Sequence, residues 1–148
     1  MFIRKMSESE CRKVLKRTNL GRLGCAHDNQ PYVLPINLEL DDQYLYGFAT
    51  FGQKIDWMRK NPLVCFEVDE VTDQNSWISV IVFGRYEELP NEPNYEEARG
   101  RALELLQKRA MWWEPATISK GHTDWTHFAE PIVFRIRIES MTGHRANR

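Results

Sequence analysis

The chain carries no surplus of either charge: 20 lysines and arginines stand against 21 aspartates and glutamates, for a formal net charge of -1. That balance offers no electrostatic footing for nucleic acid or an anionic membrane surface. No apolar run reaches the length of a membrane-spanning helix, and the opening "MFIRKMSESECRKVLKR" is too charged for a secretory signal. A cytoplasmic protein is expected. There are only three cysteines, Cys11, Cys25 and Cys65, and no Cys-x-x-Cys pair. This argues against a disulfide framework and against a zinc or dithiol motif. All three are expected to be reduced, with Cys25 and Cys65 in the core. Eight glycines and seven prolines are scattered, so linkers, repeats and low-complexity segments are absent. There is no Gly-x-Ser-x-Gly elbow and no carboxylate pair convincingly spaced for acid-base work, which leaves hydrolysis unsupported.

What is present is one domain's worth of chain. At 148 residues, folding can bury roughly two-thirds of the surface that the unfolded form exposes, and residues 1–148 are read as a single domain. Ser7 and Glu10 have capping-box spacing before a short helix that places Cys11, Val14 and Leu15 on one face. Turn signals at Asp28-Asn29 and Asp41-Asp42 then divide an apolar stretch into three strands near 20–26, 31–40 and 43–49. Thr50 and Gln53 repeat the capping-box spacing, and Ile55 with Met58 forms the stripe of a second helix that ends at Asn61-Pro62.

A strand returns at "LVCFEVDEV". The next, "SWISVIVFGRYEEL", is apolar from Trp77 to Phe83 apart from Ser79 and reads as buried on both faces, by a barrel interior and by a second subunit. Asn94 and Glu97 open the longest helix, which carries Ala98, Ala102, Leu105, Leu106 and Arg109 and runs to about Ala110. A final strand, "IVFRIRIESMTG", sets Val133, Arg135 and Arg137 against Phe134, Ile136 and Ile138. The pattern predicts a mainly β, α+β fold: a small antiparallel barrel of about six strands with about three helices at its rim.

One residue stands out. Lys54 lies in the first turn of the second helix, where the macrodipole already favours negative charge. Two readings are open on the residues alone. Thr50 caps the helix while Lys54 points into water, or the unpaired amides of the turn, with Thr50 and Gln53, receive a phosphate whose countercharge is Lys54.

The order of "PYVLP", "GQKIDWMRKNP" and "SVIVFG" along the chain resembles the FMN-binding split-barrel superfamily that includes pyridoxamine 5'-phosphate oxidase. Within it, the similarity is to nitroimidazole-resistance-like flavin-nucleotide-binding proteins, and it covers almost the whole chain. The resemblance implies a homodimer with FMN between subunits. Gln53 and Lys54, with Thr50, would hold the phosphate. Leu34, Pro35, Ile36 and Asn37 would edge the isoalloxazine ring. Gly47, Phe48 and Ala49 would lie under the phosphate and ribityl chain, and Ser79 would reach the partner's flavin. It further implies an oxidoreductase acting on a small aromatic or nitro-type molecule. Alternatives are a flavin-binding or flavin-sensing protein without turnover, or a barrel holding haem or a deazaflavin. Relatives often carry a basic residue at position 53 and a His-Ser pair at 47–48. The arginine-rich substrate motif of true pyridoxamine phosphate oxidases is missing, so that reaction is not implied.

No catalytic side chain is named, because a flavin supplies its own redox chemistry. Trp112 and Trp113, with Trp125 behind them, are candidates for an aromatic wall over the flavin, against closure of the barrel end or subunit packing. His122 and His127, five apart around Asp124, have no ligand-set geometry, and no metal is expected. His27 reads as a hairpin-edge residue. Glu87, Glu88, Glu92, Glu96 and Glu97 read as a solvated acidic edge.

Overall fold

A computed structural model describes residues 1–108 and 131–147. Along the chain run β1 (Phe2–Lys5), α1 (Glu8–Arg17), β2 (Leu20–His27), β3 (Gln30–Asn37), β4 (Glu39–Asp41) and β5 (Tyr44–Ala49). They are followed by α2 (Gln53–Lys60), β6 (Leu63–Asp73), β7 (Ser76–Glu88), α3 (Glu96–Gln107) and β8 (Ile132–Asn147). All strand pairs are antiparallel, in the order β3-β2-β6-β7-β8-β5-β4, with β1 on β8. The predicted split β-barrel with three helices is present.

The barrel closes by covalent continuity. The strands at the two ends of the order, β3 and β4, are neighbours in the chain, joined only through buried Leu38. Leu38 donates its N–H to the Asn19 carbonyl at 2.9 Å, which turns the corner. The single strand expected over 31–40 is therefore two: the first part pairs with β2, the last with β5. Among the described residues β2 is the only strand partner of β3, and along the far edge of β3 the barrel stays split.

β1 was not anticipated. Four residues, FIRK, are too few for a periodic signal, and their partners are His144 to Asn147 at the other end of the chain. β8 is longer than its apolar core suggested, because β7 accompanies it along its length past a bulge at Phe83/Gly84. The hairpin turns follow the expected chemistry: Asp28, Asn29 and Asp42 adopt φ of 50, 64 and 54°, which short polar side chains tolerate.

The capping box of α1 forms: Ser7 Oγ accepts from Glu10 N–H and Glu10 Oε1 accepts from Ser7 N–H, both at 3.2 Å. Those expected at the other two helices do not. α2 is capped by Gly52 with no side-chain hydrogen bond, and α3 follows a 3-10 turn, Pro93–Tyr95, with Tyr95 at its cap. Ile55 and Met58 of α2 insert into the main core beside Phe66, Val80, Val82, Phe134 and Ile136. A smaller cluster of Tyr46, Leu89, Ala102 and Val133 lies under α3. Val133 is thus buried although it faces away from Phe134, because the helix covers the outer side of β8 there.

β7 departs from the expectation of burial on both faces. Val80 and Val82 are fully buried, but Ile81 is half-buried and Phe83 is exposed. Nothing among the described residues covers the outer side of the strand. Cys65 also differs from the core position expected for it: Cys25 is buried, whereas Cys65 is half-exposed on the outer face of β6, and all three thiols are free. The acidic edge is only partly solvated. Glu88 pairs with Arg59 in a two-pronged contact at 2.9 and 3.0 Å, and Glu87 pairs with Arg135 at 3.3 Å.

Arg17 pins the end of α1 to β6, meeting Glu70 at 2.6 and 2.8 Å, while the Thr18 hydroxyl donates to Glu70 at 2.7 Å. Chiefly through Arg17, the carboxyl is held down at about 2 instead of 4.5. A carboxyl depressed in the folded state contributes stability above its unfolded value and loses it as pH falls through the folded one. Both side chains are partly exposed, so the contribution is about 0.2–1 kcal/mol. Glu70→Gln should flatten that much of the acid limb between about pH 4.5 and 2, read as the urea midpoint against pH. An unchanged limb would remove Glu70 from the account.

Candidate functional site

The site begins where β5 delivers the chain into α2. At Gly47 an added Cβ would press on Leu38 Cδ2 and lie 3.1 Å from Phe134 Cζ, so a side chain there would have to displace two buried core residues. Gly47 and Ala49 are buried and Phe48 half-buried, while Thr50 and Phe51 are exposed. Around Gly52, in contrast, a Cβ would meet nothing within 4 Å, so the start of α2 opens onto free space. Gly52 accepts the first helical hydrogen bond from Asp56 N–H at 3.0 Å. The amides of Gln53, Lys54 and Ile55 lack intrahelical partners by position, and no side chain caps them. They form the positive end of the helix dipole.

Lys54 is half-buried at this spot. Among the described residues its ammonium has no hydrogen bond or ion pair, and burial lowers its pKa, opposed only by the nearby Cys25 thiol. Burial in turn raises Cys25. A partly desolvated cation without a partner is costly, and it is the kind of group that an anion would satisfy.

α2 is held against β2 and β3 by Trp57, whose ring meets Tyr32 at 5.7 Å edge-on and His27 at 5.8 Å. Cys25 pairs with Tyr32 across the two strands. Lys54 is therefore next to the pair that leads into Leu34–Asn37. Ile36 packs on the core, Leu34 shares its face and is half-buried, and Pro35 and Asn37 are exposed on the other face. The open edge of β3 leaves backbone groups of this stretch without a second strand, as a planar ring bonded along its rim requires.

Ser79 is not brought to this cluster within one chain. It lies on the outer face of β7, three strands from β3, and its hydroxyl donates to Glu67 Oε2 at 3.2 Å. Trp112, Trp113, Trp125, His122 and His127 lie outside the described residues. Sequence reasoning passed over Glu67 and Asp69, which lie two apart on the outer face of β6. The alternation in "FEVDE" was the available signal, since residues two apart on a strand share a face. It also missed a groove of about 340 Å³ on the outer sheet, lined by Gly24, Pro31, Val33, Leu63, Cys65 and Phe83 among others.

Comparison with known proteins fits this architecture. The family described as pyridoxamine 5'-phosphate oxidase matches residues 7–145. An uncharacterized protein of Rhizobium meliloti is 40% identical over 146 residues, covering 99% of this chain and 97% of the other. The crystal structure of a FAD-binding protein from Mesorhizobium loti is 42% identical and superposes with a TM-score of 0.80, covering 99% of this chain and 100% of that one. A candidate 5-nitroimidazole antibiotic resistance protein from Bacteroides thetaiotaomicron, 17% identical, shares the fold at a TM-score of 0.68 over 100% of this chain and 93% of its own. The chain belongs to the pyridoxamine 5'-phosphate oxidase family, in its split-barrel form.

Proposed function

We propose that the protein is a flavoprotein that anchors a flavin nucleotide by phosphate at the start of α2. The observation that carries this reading is Lys54: a half-buried ammonium with no ion-pair partner among the described residues, beside three uncapped amides and open space at Gly52. Lys54, Gln53 and Thr50 are the proposed phosphate contacts. Leu34, Pro35, Ile36 and Asn37 offer a strand edge to the ring, and Gly47, Phe48 and Ala49 form the floor. FMN is the nucleotide expected from the resemblance. The FAD-binding description of the Mesorhizobium loti relative supports a flavin and adds FAD as the second candidate. A bound isoalloxazine would supply the redox chemistry, and the chain would bind, orient and partly exclude water.

The uncovered outer face of β7 supports a homodimer, in which Ser79 of one copy would approach the site of the other. The proposed activity is electron transfer to or from a small aromatic or nitro-type molecule.

The absorption spectrum of the protein as isolated tests the cofactor. Flavin bands are expected, and heat-released flavin run against FMN and FAD standards decides between them. A Soret band would put haem in place of flavin, and a deazaflavin would show its own blue-shifted band. Colourless protein that takes up neither added FMN nor added FAD would reject the reading. Anaerobic addition of NADH or NADPH tests turnover: bleaching supports an oxidoreductase, and unchanged absorbance with every donor supports a binding or sensing protein.

A further inference from the structure

The start of α2 has a second flank, away from Lys54. Phe51, the residue before the Gly52 cap, is 55% exposed. Its ring lies against the Arg59 guanidinium, with Cζ 5.3 Å from the ring centroid. Arg59 is itself held in place: it donates to both carboxylate oxygens of Glu88, at 2.9 and 3.0 Å, and Glu88 accepts from the Tyr86 hydroxyl at 2.6 Å. Tyr86 is buried. Ring and guanidinium are thereby tied to the end of β7, so the pair is a fixed shelf and not a loose loop tip.

Nothing in the local fold requires an aromatic at this point. From the position before the cap, an apolar side chain can staple a helix by packing on the fourth helical residue. Here that residue is Asp56, which pairs with Lys60 at 3.0 Å. The staple has no second half, and Phe51 belongs to neither buried cluster. A large ring backed on one side by a cation, and otherwise open among the described residues, is a stacking surface for a flat base.

Its place in the fold selects the base. Trp57 and Arg59 leave α2 on opposite flanks, Trp57 toward Tyr32 and His27 and Arg59 toward Glu88. Lys54, one turn before Trp57, shares the first flank, on which the isoalloxazine is proposed to lie. The proposed phosphate site at the helix start sits between the two. Phe51 is two residues before Gln53, the first of the open amides, so at most about 7 Å of backbone separates them. A nucleotide that ends at its phosphate stops short of the second flank. One that continues through a second phosphate into adenosine crosses the helix start and reaches the Phe51 ring. The charges allow it: Arg59 is balanced by Glu88 and Asp56 by Lys60, which leaves Lys54 and the helix dipole to meet the pyrophosphate.

We infer that Phe51, backed by Arg59, is the surface on which the adenine of a bound FAD stacks, and that this contact makes the chain prefer FAD to FMN. The inference rests on the flavin reading proposed above and fills the part of that site that FMN leaves empty.

Fluorescence titrations of the full chain, freed of flavin, with FAD and with FMN test it. The wild type should bind FAD about ten- to a hundredfold more tightly than FMN, the gain from one base stacked on an aromatic ring. Phe51→Ala should bring FAD affinity down to the FMN value and leave FMN affinity where it was. Phe51→Leu, which keeps apolar bulk without an aromatic face, should lose most of the preference, and Phe51→Trp should keep or widen it. A merely structural role for Phe51 would weaken both nucleotides together and lower the melting temperature of the flavin-free protein. Equal wild-type affinities overturn the inference and leave the flavin reading standing. So does a Phe51→Ala or Phe51→Leu variant that keeps the wild-type preference, which would seat the adenine elsewhere, or one that loses both nucleotides in step. A chain that binds neither nucleotide overturns both readings.

Discussion

Lys54→Ala should weaken flavin binding by about one to two decades while leaving the ligand-free protein as stable as before, or more so. The loss corresponds to one charge-assisted contact to phosphate, about 1.5–3 kcal/mol. The apo-protein behaves differently because nothing among the described residues pairs with the ammonium, and burial already penalises its charged form. Removing it therefore takes away a cost and no ion pair, the trade between stability and function expected of a ligand-holding residue. Lys54→Arg should recover part of the affinity.

The same residue sets a pH dependence. In the free protein the Lys54 pKa lies below its ordinary value, and a bound phosphate dianion would raise it again. Affinity should hold below the free-protein value and weaken as pH rises through it, a limb that Lys54→Ala lacks. Fluorescence titration with FMN and with FAD, alongside thermal unfolding of the apo-protein, measures both effects. Wild-type affinity in the alanine variant would remove Lys54 from the site. A large fall in apo stability would make its role structural.

Phe134→Ala should cost about 3–5 kcal/mol, or roughly 10–20 °C in melting temperature. The ring is fully buried, tilted against Tyr86 at 5.4 Å, and occupies the space that a side chain at Gly47 would need. β5 is pressed against it and cannot easily collapse into the hole, because Gly47 has no side chain to follow. The urea midpoint should fall with little change in slope, and Phe134→Leu should retain more than half of the stability. A loss below about 1 kcal/mol would mean that the barrel refills the cavity.

Most secondary structure was legible because it is local. The Ser7–Glu10 box, the Asp28-Asn29 and Asp41-Asp42 turns, and the Ile55/Met58 stripe each depend on a few adjacent residues. Misreadings arose where distant chain decided. β1 exists only because His144 to Asn147 lie alongside it, and the 31–40 stretch bends because one end must serve β2 and the other β5. Thr50 has the right spacing to cap α2, yet the turn at Gly52 carries it outward, where it caps nothing.

The candidate site divides in the same way. Lys54 stood out in sequence because a cation in a first helical turn opposes the dipole, a rule local to one turn. That it is half-buried and unpaired among the described residues, beside Cys25 and near the open edge of β3, could come only from packing α2 across two strands through Trp57. Glu67 and Asp69 alternate plainly in the sequence, but the contacts of Glu67 with Ser79 and of Asp69 with Arg22 are products of strand register. The sequence alone determined the antiparallel framework and the position of the phosphate-holding candidate, because periodicity and turn chemistry act over a few residues. The tertiary structure decided which of those groups are desolvated and which are left without partners, because burial depends on chain far away in sequence.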